Sequence, residues 1–134
     1  MIAIDRIAGM ADKYVDQLFN IGIFTTRDLL VRASTREGRK TISLLTGIDE
    51  DTVLRWVQMA DLMRINGVGP FYARLLEEAG VRSVDELAAS NDRELYLKIS
   101  RVNARLRMVK KIPTILQVRD WIRQARRMRS VIVY

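Results

Sequence analysis

The chain of 134 residues contains no cysteine and no histidine. The first absence excludes disulfides and thiolate metal sites. The second removes the commonest general base and the commonest metal ligand. No apolar run approaches the roughly 18 residues that a membrane-spanning helix needs. The opening Met-Ile-Ala-Ile-Asp has no basic region followed by an apolar core, so no signal peptide is expected, and a cytoplasmic setting is. Period-two strand patterns are missing, and no Pro/Gly/Ser-rich stretch marks a flexible linker. No nucleophile–base pair or Walker-type loop stands out, so neither catalysis nor a cofactor is expected. The acidic cluster Asp49-Glu50-Asp51 falls at a helix start, where acids suit the dipole; no second ligand cluster accompanies it, and no metal is expected.

What is present is a globular composition, 49% hydrophobic and 29% charged, with a net charge of +7. That charge is unevenly placed. Residues 1–59 hold 8 Lys+Arg against 8 Asp+Glu, whereas residues 60–134 hold 15 against 8. Between Lys98 and Arg129 there are eleven basic residues and one acid, Asp120. A basic half joined to a neutral half implies an oriented contact with something anionic.

The most informative stretch runs from Ile65 to Leu87. It reads as a helix end, a tight turn at Gly67-Val68-Gly69, and a new helix opened by Pro70. Gly67 and Gly69 are expected to supply positive φ in that turn. Ala73, Leu75, Leu76 and Ala79 give the new helix an apolar face, Gly80 stops it, and Ser83 with Glu86 has capping-box spacing for a third helix.

Ile65, Gly67, Val68, Gly69, Ala73 and Leu76 match every position of the pattern h-x-G-h-G-x-x-x-A-x-x-L, and this stretch resembles the helix-hairpin-helix superfamily. More distantly, residues 62–88 resemble hairpin modules of DNA-repair and recombination proteins and the C-terminal domain of the polymerase alpha subunit. The whole chain resembles an uncharacterised family (a domain of unknown function) of tandem helix-hairpin-helix proteins. The resemblance implies that backbone N–H groups near Gly67, Val68, Gly69, Phe71 and Tyr72 hold phosphate. The physics is that of an anion at a helix N-terminus. One departure is Phe71, where such hairpins often carry lysine or a small polar residue; Phe71 and Tyr72 offer rings for stacking on a base or for a protein contact.

The chain also repeats itself. Shifted by 58 residues, Ile7 meets Ile65, Gly9 meets Gly67, Tyr14 meets Tyr72, Leu18 meets Leu76 and Gly22 meets Gly80. The capping boxes expected at Ser34–Glu37 and Asn91–Glu94 each open a helix, the first carrying Ile42, Leu44 and Leu45, the second Leu95, Ile99, Val102 and Leu106. Trp56 and Trp121 then pair at a shift of 65, on apolar faces that predict core positions. The second half has therefore gained about seven residues, expected around Lys110-Lys111-Ile112-Pro113. In the first hairpin Ala11 replaces the second glycine and Asp12 replaces proline, so that turn is expected to be structural, with Met10 buried.

The expected architecture is all-α: residues 1–59 form a first repeat with a degenerate hairpin, and residues 60–134 a second, basic repeat. The two pack as one continuous helical domain. The expected function is non-catalytic, sequence-independent nucleic-acid binding, with the duplex DNA backbone favoured over RNA. Its residues are the five hairpin positions together with Lys98, Arg101, Arg105, Lys110, Lys111, Arg119, Arg123, Arg126 and Arg127. Lys98, Arg101 and Arg105 share one helix face; the four arginines share another, almost without acids to balance them. The alternative is an adaptor or oligomerisation module for an acidic protein partner, using the same hairpin with Phe71 and Tyr72.

Overall fold

Cap chemistry sets where the helices begin. The computed structural model describes residues 2–134, and among these the chain is all-helical, with eight α-helices and no strand. A short 3-10 turn, Ile4–Arg6, precedes α1 (Asp12–Asn20), α2 (Thr26–Ala33), α3 (Arg36–Thr46) and α4 (Glu50–Leu62). Then come α5 (Pro70–Glu78), α6 (Val84–Ala88), α7 (Asp92–Leu106) and α8 (Ile115–Arg127). None of these helices is long and apolar enough to cross a membrane. The chain divides into two compact units: one runs to Asp61 and takes in Val131–Tyr134, the other is Leu62–Ser130. The Val131–Tyr134 tail, assigned by the sequence to the second half, thus lies with the first unit.

In the first unit, Thr25 and Asp28 form a complete capping box at the start of α2. The next cap differs from expectation by one residue. Ser34 still has helical backbone angles, so Thr35 is the first residue extended enough to cap α3, and its Oγ1 accepts the Gly38 N–H at 3.0 Å. Gly38 has a second reason to be glycine, since a Cβ there would lie 2.0 Å from the Arg32 carbonyl oxygen. Ile42 is buried as expected, but Leu44 and Leu45 are 79% and 61% exposed, because they follow it on the outward side of α3. Trp56 is buried against the ring of Tyr14, 5.4 Å between centroids.

In the second unit, Pro70 is the first helical residue of α5, and Ala73, Leu75, Leu76 and Ala79 are all buried. Ser83 caps α6, while the Glu86 carboxylate reaches one residue further back, to the Arg82 N–H. Asn91 caps α7, and Thr114 with Gln117 forms a full box on α8. Trp121 is buried against Tyr72, again 5.4 Å between centroids. Leu106, expected on the apolar face of α7, lies in its last turn and is 44% exposed. α6 and α7 both pack on α8, and α5 packs on α7. α7 has 15 residues against 11 in α3, and the connection after it spans residues 107–114 against 47–49.

The tail of the first unit is held by a buried arginine. Arg39, 5% exposed, donates to the carbonyls of Ala33, Ser34 and Val133 at 3.0, 3.1 and 2.8 Å. Val133 returns a bond from its N–H to the Ser34 carbonyl at 2.7 Å, and Ile132 is buried beside it. Burial lowers the Arg39 pKa, yet a guanidinium stays protonated in proteins. Replacing Arg39 by methionine should cost about 2–3 kcal/mol in urea unfolding, as charge-assisted bonds to three carbonyls are lost. Deleting residues 131–134 should also destabilise, and the two changes together should cost less than their sum because they remove the same contact.

Candidate functional site

The turn between α4 and α5 is fixed from α8. Gln124 accepts the Asn66 N–H at 2.9 Å and donates to the Asn66 carbonyl at 3.1 Å, while its remaining hydrogen goes to Asp120 at 2.9 Å. Trp121 lies beneath the turn, and a Cβ on Gly67 would come 3.0 Å from its indole nitrogen. Gly67 has φ +96°, a left-handed backbone that side chains resist. Gly69 departs from the expectation of positive φ. Its φ of −90° and ψ of −172° are extended, and a Cβ there would meet nothing within 4 Å. Neither conformation nor packing demands glycine at that position.

The amides divide sharply. The Val68 N–H donates to the Ile65 carbonyl at 3.1 Å, and the Val68 side chain is buried, so this member of the expected anion set is already partnered. The N–H groups of Gly67, Gly69, Phe71 and Tyr72 find no acceptor among the described residues. Two of them belong to the first turn of α5, which has no side-chain cap and no acid.

The long connection after α7 crosses close to this turn and is tied down twice. Arg107 ends α7 with a left-handed backbone, φ +51°. The Asn103 side chain then donates to the Val109 carbonyl and accepts its N–H, both at 3.0 Å. Two residues on, the Tyr72 hydroxyl donates to the Lys111 carbonyl at 3.0 Å. The result is an open groove of ≈ 640 Å³, with Gly67, Gly69, Pro70, Phe71 and Tyr72 on one side and residues 108–111 on the other. Lys110 and Lys111 are exposed on its rim, and Phe71 is 68% exposed. Tyr72, by contrast, is committed to Trp121 and Lys111.

The structure thus brings Lys110 and Lys111 to the turn and gathers other predicted residues elsewhere. Arg119, Arg123 and Arg126 line a polar hollow of ≈ 320 Å³ with Asn91 and Asp92 at the start of α7. Two of these arginines already have internal partners. Arg119 pairs with Asp92 at 2.8 Å, and Arg126 donates to the Ala88 carbonyl at 3.1 Å. Arg123 and Arg127 are exposed and form no ion pair among the described residues. Lys98 borders a different groove, beside Gly80 and Val81, and Arg101 and Arg105 are exposed but line neither basic cavity. Asn103 and Gln124, which position the site, were not singled out from the sequence; a polar residue bonding across 6 or 58 positions leaves no local pattern.

The first turn makes a useful contrast. Gly9 has φ +83°, as Gly67 is left-handed, but Ala11 is extended at φ −70°, so alanine is accommodated there without resistance. Asp12 sits in the first turn of α1, Met10 is buried, and Tyr14 donates its N–H to the Ala11 carbonyl at 2.9 Å.

With this geometry in place, comparison with known proteins is informative at the level of family. Residues 8–128 match the domain of unknown function DUF4332, and the chain belongs to that family. No curated protein and no solved structure matches it.

Asp92 offers a titration handle on the arginine hollow. The hydrogen bond from Arg119, and then that from the Arg93 N–H, hold its carboxyl below the ordinary value. A carboxylate lowered on folding stabilises above the unfolded value of about 3.9 and loses that contribution as pH falls through the folded one. The stability gap between wild type and Asp92→Asn, measured by urea unfolding, should therefore be widest at neutral pH and close progressively below about pH 4.

Proposed function

We propose that this chain is a non-catalytic module that grips nucleic-acid backbone, DNA in preference to RNA, in the manner of a helix-hairpin-helix. The observation that carries the reading is the set of four unpartnered amides beside two exposed lysines, at a helix start without acid. A phosphate placed there would accept from several N–H groups and meet the positive end of α5. Lys110 and Lys111 would add the charge. Gly69 supports the same reading, because a residue with no conformational or packing need for glycine leaves the backbone bare for close approach. Contacts of this kind position a protein without reading sequence. Arg123 and Arg127 extend the cationic surface, and Arg119 and Arg126 add charge despite their internal partners. The absence of cysteine fits a reducing, cytoplasmic setting.

The exposed Phe71 and the groove around it favour a second reading, an adaptor that docks a protein partner. One titration separates the two. Fluorescent duplex DNA and RNA at two salt concentrations should bind the full chain with affinity that falls steeply with salt. Glutamate at both Lys110 and Lys111 should weaken binding alike for every sequence. Gly69→Ala is the sharper variant. Its thermal midpoint should stay within a few degrees of wild type, since the methyl meets open space, while affinity drops as the amides are shielded. Unchanged affinity in both variants would assign the turn to packing or to a protein partner.

A further inference from the structure

We infer that the groove beside the turn takes an unpaired base, stacked on Phe71, so that nucleic acid is bound as single strand in preference to duplex. This rests on the backbone grip proposed above and names its substrate class. Phe71 is the second residue of α5, and its own N–H belongs to the unpartnered set. A phosphate held there brings its nucleoside within reach of the ring. Phe71 is 68% exposed and among the described residues pairs with no other aromatic ring, whereas the adjacent Tyr72 is held by Trp121 and Lys111. The N–H of Phe71 serves the phosphate grip, but its exposed ring has no part in that grip.

The groove has the complementary character of a nucleotide. Pro70, Met108 and Val109 give it an apolar lining, Lys110 and Lys111 line it too, and among the described residues no acid does. Its ≈ 640 Å³ falls within the roughly 300–1,000 Å³ of small-ligand sites. The clamps at Val109 and Lys111 fix the far wall, so little order has to be gained on binding. Away from its ends, a duplex has both faces of every base already stacked, whereas an unpaired base has a face free for Phe71 along the whole strand. Stacking of this sort tolerates any base.

Fluorescence anisotropy of the full chain with three labelled probes of equal length tests this: a single strand, a blunt duplex, and an abasic strand that keeps every phosphate. The single strand should bind about tenfold more tightly than either of the others, the order expected of one stacked base. Phe71→Ala should reduce single-strand affinity to the abasic level, a loss several-fold larger than the one it causes for duplex; Phe71→Trp should retain single-strand affinity. The exposed position makes both variants foldable, which circular dichroism would verify. Equal affinity for base-bearing and abasic strands would overturn the inference while leaving the backbone grip intact. Failure to bind any of the three probes would overturn both. A changed sedimentation coefficient for Phe71→Ala with unchanged affinities would assign the groove to a second copy of the chain.

Discussion

The site depends on one side chain that speaks for a peptide group. Gln124 takes up both the N–H and the carbonyl of Asn66 and has its own last hydrogen taken by Asp120. All of its donors are thereby used, and the amide plane is fixed. The turn is consequently held from α8 and does not need its later amides for internal bonds. Trp121, three positions earlier on α8, fills the space beneath Gly67 and meets the Tyr72 ring at a tilt. The buried row Val118, Trp121, Ile122 and Ala125 sets the rotation of α8, and that rotation brings Gln124 to Asn66. Core packing and site geometry are here a single constraint.

The two turns show which part of the arrangement is backbone and which is side chain. Both have a left-handed glycine, a capless extended residue and a helix of nine residues. In the first, the Arg55 guanidinium lies 3.3 Å from where a Gly9 Cβ would be, and Asp12 places a negative charge at the helix start. The dipole of α1 is thus answered from within the chain. In the second, proline and two aromatics occupy the same first turn and bring no charge. Anion affinity would follow from that difference, with the chain path common to both.

Much of this was legible in short-range pattern. Thr25, Ser83, Asn91 and Thr114 are caps because each is a small polar residue before an apolar run, and the helix starts follow from them. The burial of Trp56 and Trp121 followed from their matched places on apolar faces. What escaped was long-range or one residue deep. The cap at Thr35 moved because α2 kept helical angles through Ser34, which no local propensity reveals. Leu44 and Leu45 have the composition of core residues, but helix rotation turned them outward. At the turn, the positive φ of Gly67 was readable and that expected of Gly69 is not there, while Asn103, Gln124 and the approach of residues 108–111 left no local pattern. Charge counting likewise missed that Arg119 has Asp92, an acid 27 positions away.

The basic half also poses an electrostatic question that folding alone does not answer. Arg74 is balanced by Glu77 and Glu78, and Arg119 by Asp92. Lys110 and Lys111 are different: they sit side by side on a connection clamped by Asn103 and Tyr72, facing the positive end of α5. Three sources of positive potential therefore converge on a groove that, among the described residues, has no acid in its lining. A flexible loop would relax that repulsion by swinging the lysines apart. The backbone of this loop is held beside α5 by hydrogen bonds that contribute nothing to charge balance. An anion bound there, as proposed above, would relieve the repulsion, and the clamps would then keep the loop backbone in place for it.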